Sequence, residues 1–453
     1  MKNGSSGIGA IVALGASVLM VGCGSGGGGG GEKTDSGTPL SPGGSGAFGI
    51  VTVGGKQKMY LPQPSAYYTS AGDATIAVVD VGVAGNGVAG APALLTTIDL
   101  GTTDGVTATG GTSSVVIGVS TANNRIYFID PTTDTVEKSI TLDATYGVSS
   151  FSGGGGYVTG VAVDAESNQA YLSVWNGFAI VDLGSETITG TIQVPPSENF
   201  GFDSANRRIL APFYDCGLAR GPTSYPPTFC TSYADGAGVE MDNGLNIIDL
   251  ADNDTVYTYQ DATAYDPTEP LGGEPDSAAA DPTTGKIVVP SEEQGYEYVV
   301  DLSKATFDKS KKSVTAPHVI IDASGADEMT GVAIEPSSHI AFFESEGGTD
   351  MGAANLNGAT AAMSSYVHAD LPALPDASYW ENILDPHGIA VTTAMAGGHP
   401  VGFLVNAEYH WVARVDLQKL MSLPTTADSY LATQLDVADA SAAVTYLDAT
   451  KAP

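Results

Sequence analysis

Val158 to Val194 reads VTGVAVDAESNQAYLSVWNGFAIVDLGSETITGTIQV, and its punctuation decides the fold. Four short runs stand out, VTGVAVD, NQAYLSV, GFAIVDL and ETITGTIQV. Each alternates apolar and polar residues or is rich in β-branched ones, and each boundary carries Asn, Gly, Asp or Ser. Runs of that length and composition specify strands joined by tight turns. The same order recurs in VVIGVSTANNRIYFIDPTTDTVEKSITL, Val115 to Leu142, and in DSAAADPTTGKIVVPSEEQGYEYVVDL, Asp276 to Leu302. Long amphipathic helical patterns are absent.

Working outward, short apolar runs ending in Asp repeat along the chain. They are AVVDV, YFIDP, AIVDL, NIIDL, YVVDL and ARVDL, with aspartates at Asp80, Asp130, Asp182, Asp249, Asp301 and Asp416. The steps are 50, 52, 67, 52 and 115 residues, the last about two periods. A degenerate copy, AANLN with Asn355 and Leu356, divides that gap and makes seven units. Seven four-stranded units of this length predict an all-β, seven-bladed β-propeller, in which each blade covers its neighbour's apolar face. A β-sandwich pair and a β-helix compete, but the period is too long for a β-helix coil and too regular for unrelated sandwiches. Ring closure stays open between the C-terminal YLATQLDV and SAAVTYLDA and the N-terminal AFGIVTV.

QAYLSVWNGFAIVDLGSETITGTIQV and RIYFIDPTTDTVEKSITL resemble the YVTN-type β-propeller repeat in their tyrosine strand, Asn-containing turn, apolar-Asp strand and Thr-rich final strand. The resemblance covers roughly Ala47 to the C-terminus and is specific for fold. It implies a surface or periplasmic binding protein or scaffold; related propellers include lactonases, gluconolactonase-like metalloenzymes and subunits of redox enzymes. Fold by itself does not choose among these.

The N-terminus points to export. Ile8 to Val21 carries no charge and is too short and glycine-dotted for a membrane span, so residues 1–22 read as a signal peptide. Met20-Val21-Gly22-Cys23 resembles the lipobox of bacterial lipoproteins, which implies palmitate and related acyl chains on Cys23 and a membrane anchor. Gly24 after the cysteine resembles lipoproteins sent to the outer membrane or cell surface of a diderm cell. Residues 23–46, rich in Gly and Ser, read as a tether, and residues 47–453 as the propeller. A formal net charge of −34 excludes nucleic acid as a partner class. In an oxidising compartment Cys216 and Cys230 are expected to form a disulfide worth about 3 kcal/mol, with two unpaired buried thiols as the other reading.

The recurrent aspartates are read as turn caps, accepting backbone N–H bonds. A catalytic centre, if present, belongs on the segments leading into the innermost strands. Those segments carry Tyr157, Thr159, Glu198, Asn199, Glu274, Asp276, Asp327, Glu328, Asp385 and His387. The resemblance to gluconolactonase-like enzymes implies a channel metal at Glu198, Glu274, Asp276, Glu328 and His387, with Ca²⁺ the extracytoplasmic candidate; a solvated acidic channel mouth is the plainer reading. The six histidines form no HExxH or CxxCH, and there is no GxSxG elbow or phosphate loop. Tyr214, Tyr225 and Tyr233, around the two cysteines, make a recognition element. Two functions follow: a membrane-anchored module binding protein or glycan, or a metal-dependent hydrolase or lactonase working in the channel.

Overall fold

The computed structural model describes residues 48–63, 75–81, 93–100, 108–120, 125–141, 160–174, 177–195, 197, 199–213, 243–260, 271, 275–291, 295–322, 329–345, 349–358, 366–373, 388–392, 399–406, 411–426 and 434–446. Among them, seven sheets follow one another along the chain as the blades of a β-propeller. Blade one is Gly49–Val53, Lys56–Gln63, Thr75–Asp80 and Ala93–Asp99, and blade two is Ala108–Gly111, Val116–Ser120, Arg125–Asp130 and Thr135–Thr141. Blade three is Val161–Asp164, Gln169–Val174, Gly177–Asp182 and Thr187–Gln193, close to the four runs read from the sequence. Blade four is Gly201–Asp203, Arg208–Phe213, Gly244–Asp249 and Thr255–Tyr259. Blade five is Ala279–Asp281, Lys286–Ser291, Tyr296–Asp301 and His318–Asp322. Blade six is Met329–Glu335, Ile340–Ser345, Asp350–Asn355 and Tyr366–Asp370, and blade seven is Ile389–Thr392, Val401–Asn406, Trp411–Asp416 and Val444–Tyr446.

Side chains alternate across a strand, so each blade presents two apolar faces. Every face is buried against a neighbour. Ile117, Phe128, Leu172 and Val181 join blades two and three, and Leu210, Ile247, Ile287 and Val300 join blades four and five. Equivalent clusters join one to two, three to four, five to six and six to seven. Met59, Leu61, Ala77 and Val79 of blade one pack on Val401, Phe403, Val405 and Val412 of blade seven, closing the ring. AFGIVTV supplies the inner strand of blade one and SAAVTYLDA the outer strand of blade seven. Among the described residues, closure therefore uses side-chain packing with no exchanged strand. Inner strands crowd at the centre: a Cβ on Gly110 would stand 2.8 Å from Val161, so glycine is needed there.

Two connections do more than join strands. In blade five the third and outer strands are separated by the hairpin Thr306–Asp308 and Ser313–Thr315, whose second arm pairs in parallel with the edge of blade four. In blade seven the corresponding connection carries Gln434–Asp436 of YLATQLDV onto the edge of blade six, where Tyr366 pairs with Gln434. Both cover outer edges that would otherwise invite further pairing.

The repeating aspartates end the third strand of their blades, with Asn355 in the equivalent position of blade six. Asp130 accepts from Thr132 N, Asp182 from Ser185 N, Asp249 from Ala251 N and Asp301 from Ser303 N. Asn355 accepts from Asn357 N and Asp416 from Lys419 N, so these residues are turn caps. The following leucine explains the rest of the motif. The N–H groups of Leu183, Leu250, Leu302 and Leu356 donate to the carbonyls of Asn168, Arg207, Gly285 and His339, tying together the two turns of one blade. Those four acceptors have φ of 56°, 52°, 70° and 59°.

A second set of acids ends the inner strands. Asp164, Asp203, Asp281 and Glu335 are buried and accept from the backbone of the next turn. Two also reach the adjacent blade: Arg207 Nε donates to Asp164 at 2.9 Å, and His339 Nδ1 lies 2.7 Å from Asp281. Burial works to raise the Asp281 pKa, but hydrogen bonds from Thr283, Thr284 and His339 outweigh it and leave the carboxyl below its ordinary range.

Phe403→Ala, at the closing interface, and Phe128→Ala, between blades two and three, should each cost about 3–5 kcal/mol in urea unfolding. A much smaller loss at Phe403 would show that packing does not close the ring. Asp281→Asn should cost about 1–3 kcal/mol at neutral pH. A carboxylate with its pKa lowered by folding contributes stability that is complete above the ordinary Asp value and lost as pH falls below about 4. Urea midpoints of wild type and Asp281→Asn should therefore differ at neutral pH and converge at acidic pH, and a constant gap would contradict this account.

Candidate functional site

The two mouths of the channel differ. At one, the inner and second strands of blade one are joined by Gly54 and Gly55, and those of blades two to six by residues 112–115, 165–168, 204–207, 282–285 and 336–339. Blade seven uses the longer connection 393–400 there, and at the other mouth three inner strands are reached through much longer segments, residues 142–160, 260–278 and 371–388. That second face also carries the connection between Phe213 and Gly244 in blade four. These two residues are paired, so the chain leaves and returns at one point.

Described residues at the second face stitch neighbouring blades. Asn199 N donates to Asp276 O at 3.1 Å, and Ser277 Oγ donates to Thr330 O at 2.5 Å. Gly388 N donates to Glu344 Oε2 at 3.0 Å, linking blades seven and six. Asp276 is buried at this rim. Of the other residues expected to form a metal site, Glu198, Glu274, Glu328 and His387 lie outside the described residues. So do Cys23, Cys216, Cys230, Tyr214, Tyr225 and Tyr233. Among the described residues, no helix is long and apolar enough to cross a membrane.

A polar cluster that sequence reading did not single out lies between blades five and six. In blade six Asp350 pairs with Asp370, Gly352 with His368 and Ala354 with Tyr366. Strand alternation puts these side chains on the face that packs against blade five, where Ala354 and Tyr366 join the apolar cluster. Glu297 faces them from the third strand of blade five, two residues before Val299 of that cluster. One ligand atom each from Asp350, His368 and Asp370 lies within 4.8 Å of the others. His368 Nε2 is 3.1 Å from Asp350 Oδ2, and its Nδ1 is 3.4 Å from Asp436 Oδ1 on the added strand. Burial disfavours the charged ring, yet Asp350 and Asp436 outweigh it and raise the His368 pKa above the ordinary imidazole value.

Glu297, Tyr366, His368 Nε2 and Asp436 Oδ1 all lack hydrogen-bond partners among the described residues, and the first two are wholly buried. Glu297 is wholly buried, and neither carboxyl oxygen is bonded. Desolvation pushes its pKa well above the usual carboxylate range. Tyr366 is also wholly buried; desolvation, then the charges of Glu297, Asp350 and Asp436, push its phenol well up. The signal for half of this cluster was present in YVHAD, where Tyr366, His368 and Asp370 alternate onto one strand face.

No family model and no curated protein matches the chain. Solved structures do. One is described as Kuenenia stuttgartiensis hydrazine synthase, 11% identical over 85% of this chain and 99% of that one, with a TM-score of 0.47. KlHsv2 with loop 6CD replaced by a Gly-Ser linker is 7% identical over 88% and 96% of the two chains, with a TM-score of 0.47. A complex of KlAtg21 with the coiled coil of AgAtg16 gives 8% identity over 84% and 95%, with a TM-score of 0.50. The likeness is one of fold.

Glu297 yields a signed prediction. An acid with its pKa raised by folding costs stability as pH rises above its unfolded value, because the folded state resists releasing the proton. Glu297→Gln should resemble wild type near pH 4 and become progressively more stable than it as pH rises toward 8. Urea midpoints across that range test this, and a gap that does not widen would rule out the buried neutral acid.

Proposed function

We propose that this chain is an extracytoplasmic propeller lipoprotein of YVTN type, anchored through acyl chains on Cys23 and spaced from the membrane by residues 23–46. It acts as a binding or scaffold module for a protein or glycan, without catalysis. The observation that carries the reading is the asymmetry of the two faces. In blades one to six, turns of two to four residues join the inner and second strands at one mouth, with residues 393–400 the longer connection in blade seven. The other mouth takes residues 142–160, 260–278 and 371–388, segments of the kind on which a rigid scaffold gathers recognition residues. The acids that recur with the blade period serve turns and blade junctions, which supports the structural reading of them. The residues from 214 to 242, with a Cys216–Cys230 disulfide and Tyr214, Tyr225 and Tyr233, form the recognition element in this proposal. A metal-dependent hydrolase or lactonase working in the central channel, with Ca²⁺ the candidate metal at Glu198, Glu274, Asp276, Glu328 and His387, is the competing proposal.

Detergent-solubilised full-length protein is expected to bind specific glycans on an array, or an extracellular protein in a defined panel. Replacing residues 214–242 with a Gly-Ser linker should abolish that binding while shifting Tm by only a few degrees, and Cys23→Ala should release the protein from the membrane fraction. Lactone hydrolysis by wild type that disappears in Glu274→Gln would overturn the non-catalytic reading. Binding unchanged by the Gly-Ser replacement would remove the recognition element.

A further inference from the structure

We propose that Asp350, His368 and Asp370 bind a first-row divalent cation, best matched by Zn²⁺, on the flank of blade six, with Asp436 orienting the histidine. Strand register assembles the set: His368 and Asp370 alternate along the outer strand, and Asp350 stands across from Asp370 on the third. The 3.1 Å between His368 Nε2 and Asp350 Oδ2 is within ion-pair reach, but Nε2 makes no hydrogen bond. Two donors on one tetrahedral Zn²⁺, each about 2.0–2.1 Å from the metal, sit about 3.3 Å apart. The pair's spacing thus matches a shared cation as well as a direct ion pair.

The other ring nitrogen faces Asp436 at 3.4 Å. A carboxylate behind a metal-binding histidine fixes its tautomer and leaves the opposite nitrogen to the metal. Asp436 is delivered by the strand that blade seven lays on blade six, and Val437 N donates to His368 O at 2.9 Å, which fixes that strand's position.

An independent observation points to a ligand. Tyr366 is wholly buried and its hydroxyl lacks a partner, although buried hydroxyls ordinarily have one. That hydroxyl lies over Gly352, where a Cβ would stand 2.6 Å from it, and Gly352 is both the cross-strand partner of His368 and two residues from Asp350. The phenol is thus aimed into the cluster. Three protein donors leave a tetrahedral cation one open position for water, which supplies an oxygen for the hydroxyl to meet. One imidazole with two carboxylates suits Zn²⁺ or Mn²⁺, whereas Ca²⁺ and Mg²⁺ favour all-oxygen sets.

Chelator-treated full-length protein titrated with Zn²⁺, Mn²⁺ and Ca²⁺ tests this by calorimetry and elemental analysis. One equivalent of Zn²⁺ per chain is expected, with a higher Tm and no comparable response to Ca²⁺. His368→Gln and Asp370→Asn should each weaken Zn²⁺ binding at least tenfold; Asp370 is exposed, so its variant remains decisive if His368→Gln fails to fold. Asp436→Asn should weaken binding about 10–100-fold and shift the visible spectrum of Co²⁺-loaded protein. Absence of stoichiometric Zn²⁺ or Mn²⁺ uptake, or uptake that Asp370→Asn leaves unchanged, would overturn the site and leave an internal ion-pair network.

Discussion

Apolar packing between neighbouring blades is the constraint on which everything else in this molecule depends. A four-stranded sheet with Ile117 and Phe128 on one side and Val116 and Ile129 on the other cannot cover either face by itself. Stacking solves this only if every blade has two neighbours, so the sheets must close on themselves. The final interface, Phe403 and Val405 against Met59 and Leu61, resembles the other six in chemistry. Closure through side chains leaves both terminal strands within their own blades, so the four strands of each blade follow in chain order, interrupted in blade five by the hairpin and in blade seven by Gln434–Asp436.

Packing of this kind is non-directional, and the polar residues supply direction. The Asp-Leu pair does so within a blade: the aspartate caps the outer turn, while the leucine N–H reaches the inner turn. Arg207 and His339 do so between blades by reaching Asp164 and Asp281. Both residues adopt left-handed backbone angles that a side chain disfavours, so these ties offset local strain. A chain with a strongly negative net charge thus uses many of its carboxylates as acceptors for its own turns.

The added strands show how one structural need creates another opportunity. Covering the edge of blade six brings Asp436 beside His368, although 68 residues separate them in sequence. The same interface buries Glu297 and Tyr366 without partners, at a cost the surrounding packing must offset. Buried polar groups also occur at other junctions, as where Lys58 and Tyr60 of blade one reach Asp134 of blade two.

What the sequence determined by itself was local. Strand alternation and the Asp caps are written within a few positions of one another and recur with a period near 50 residues, so the seven blades are legible in the sequence. Tyr366, His368 and Asp370 were visible as one face of one strand, but nothing nearby named what that face meets. Tertiary structure alone decided that Asp350, Glu297 and Asp436 surround it, that closure uses packing in place of strand exchange, and that YLATQLDV crosses to blade six. The reason is physical: turn capping and pleat alternation act over neighbouring residues, whereas these juxtapositions exist only after the blades stack and fix which faces are opposed.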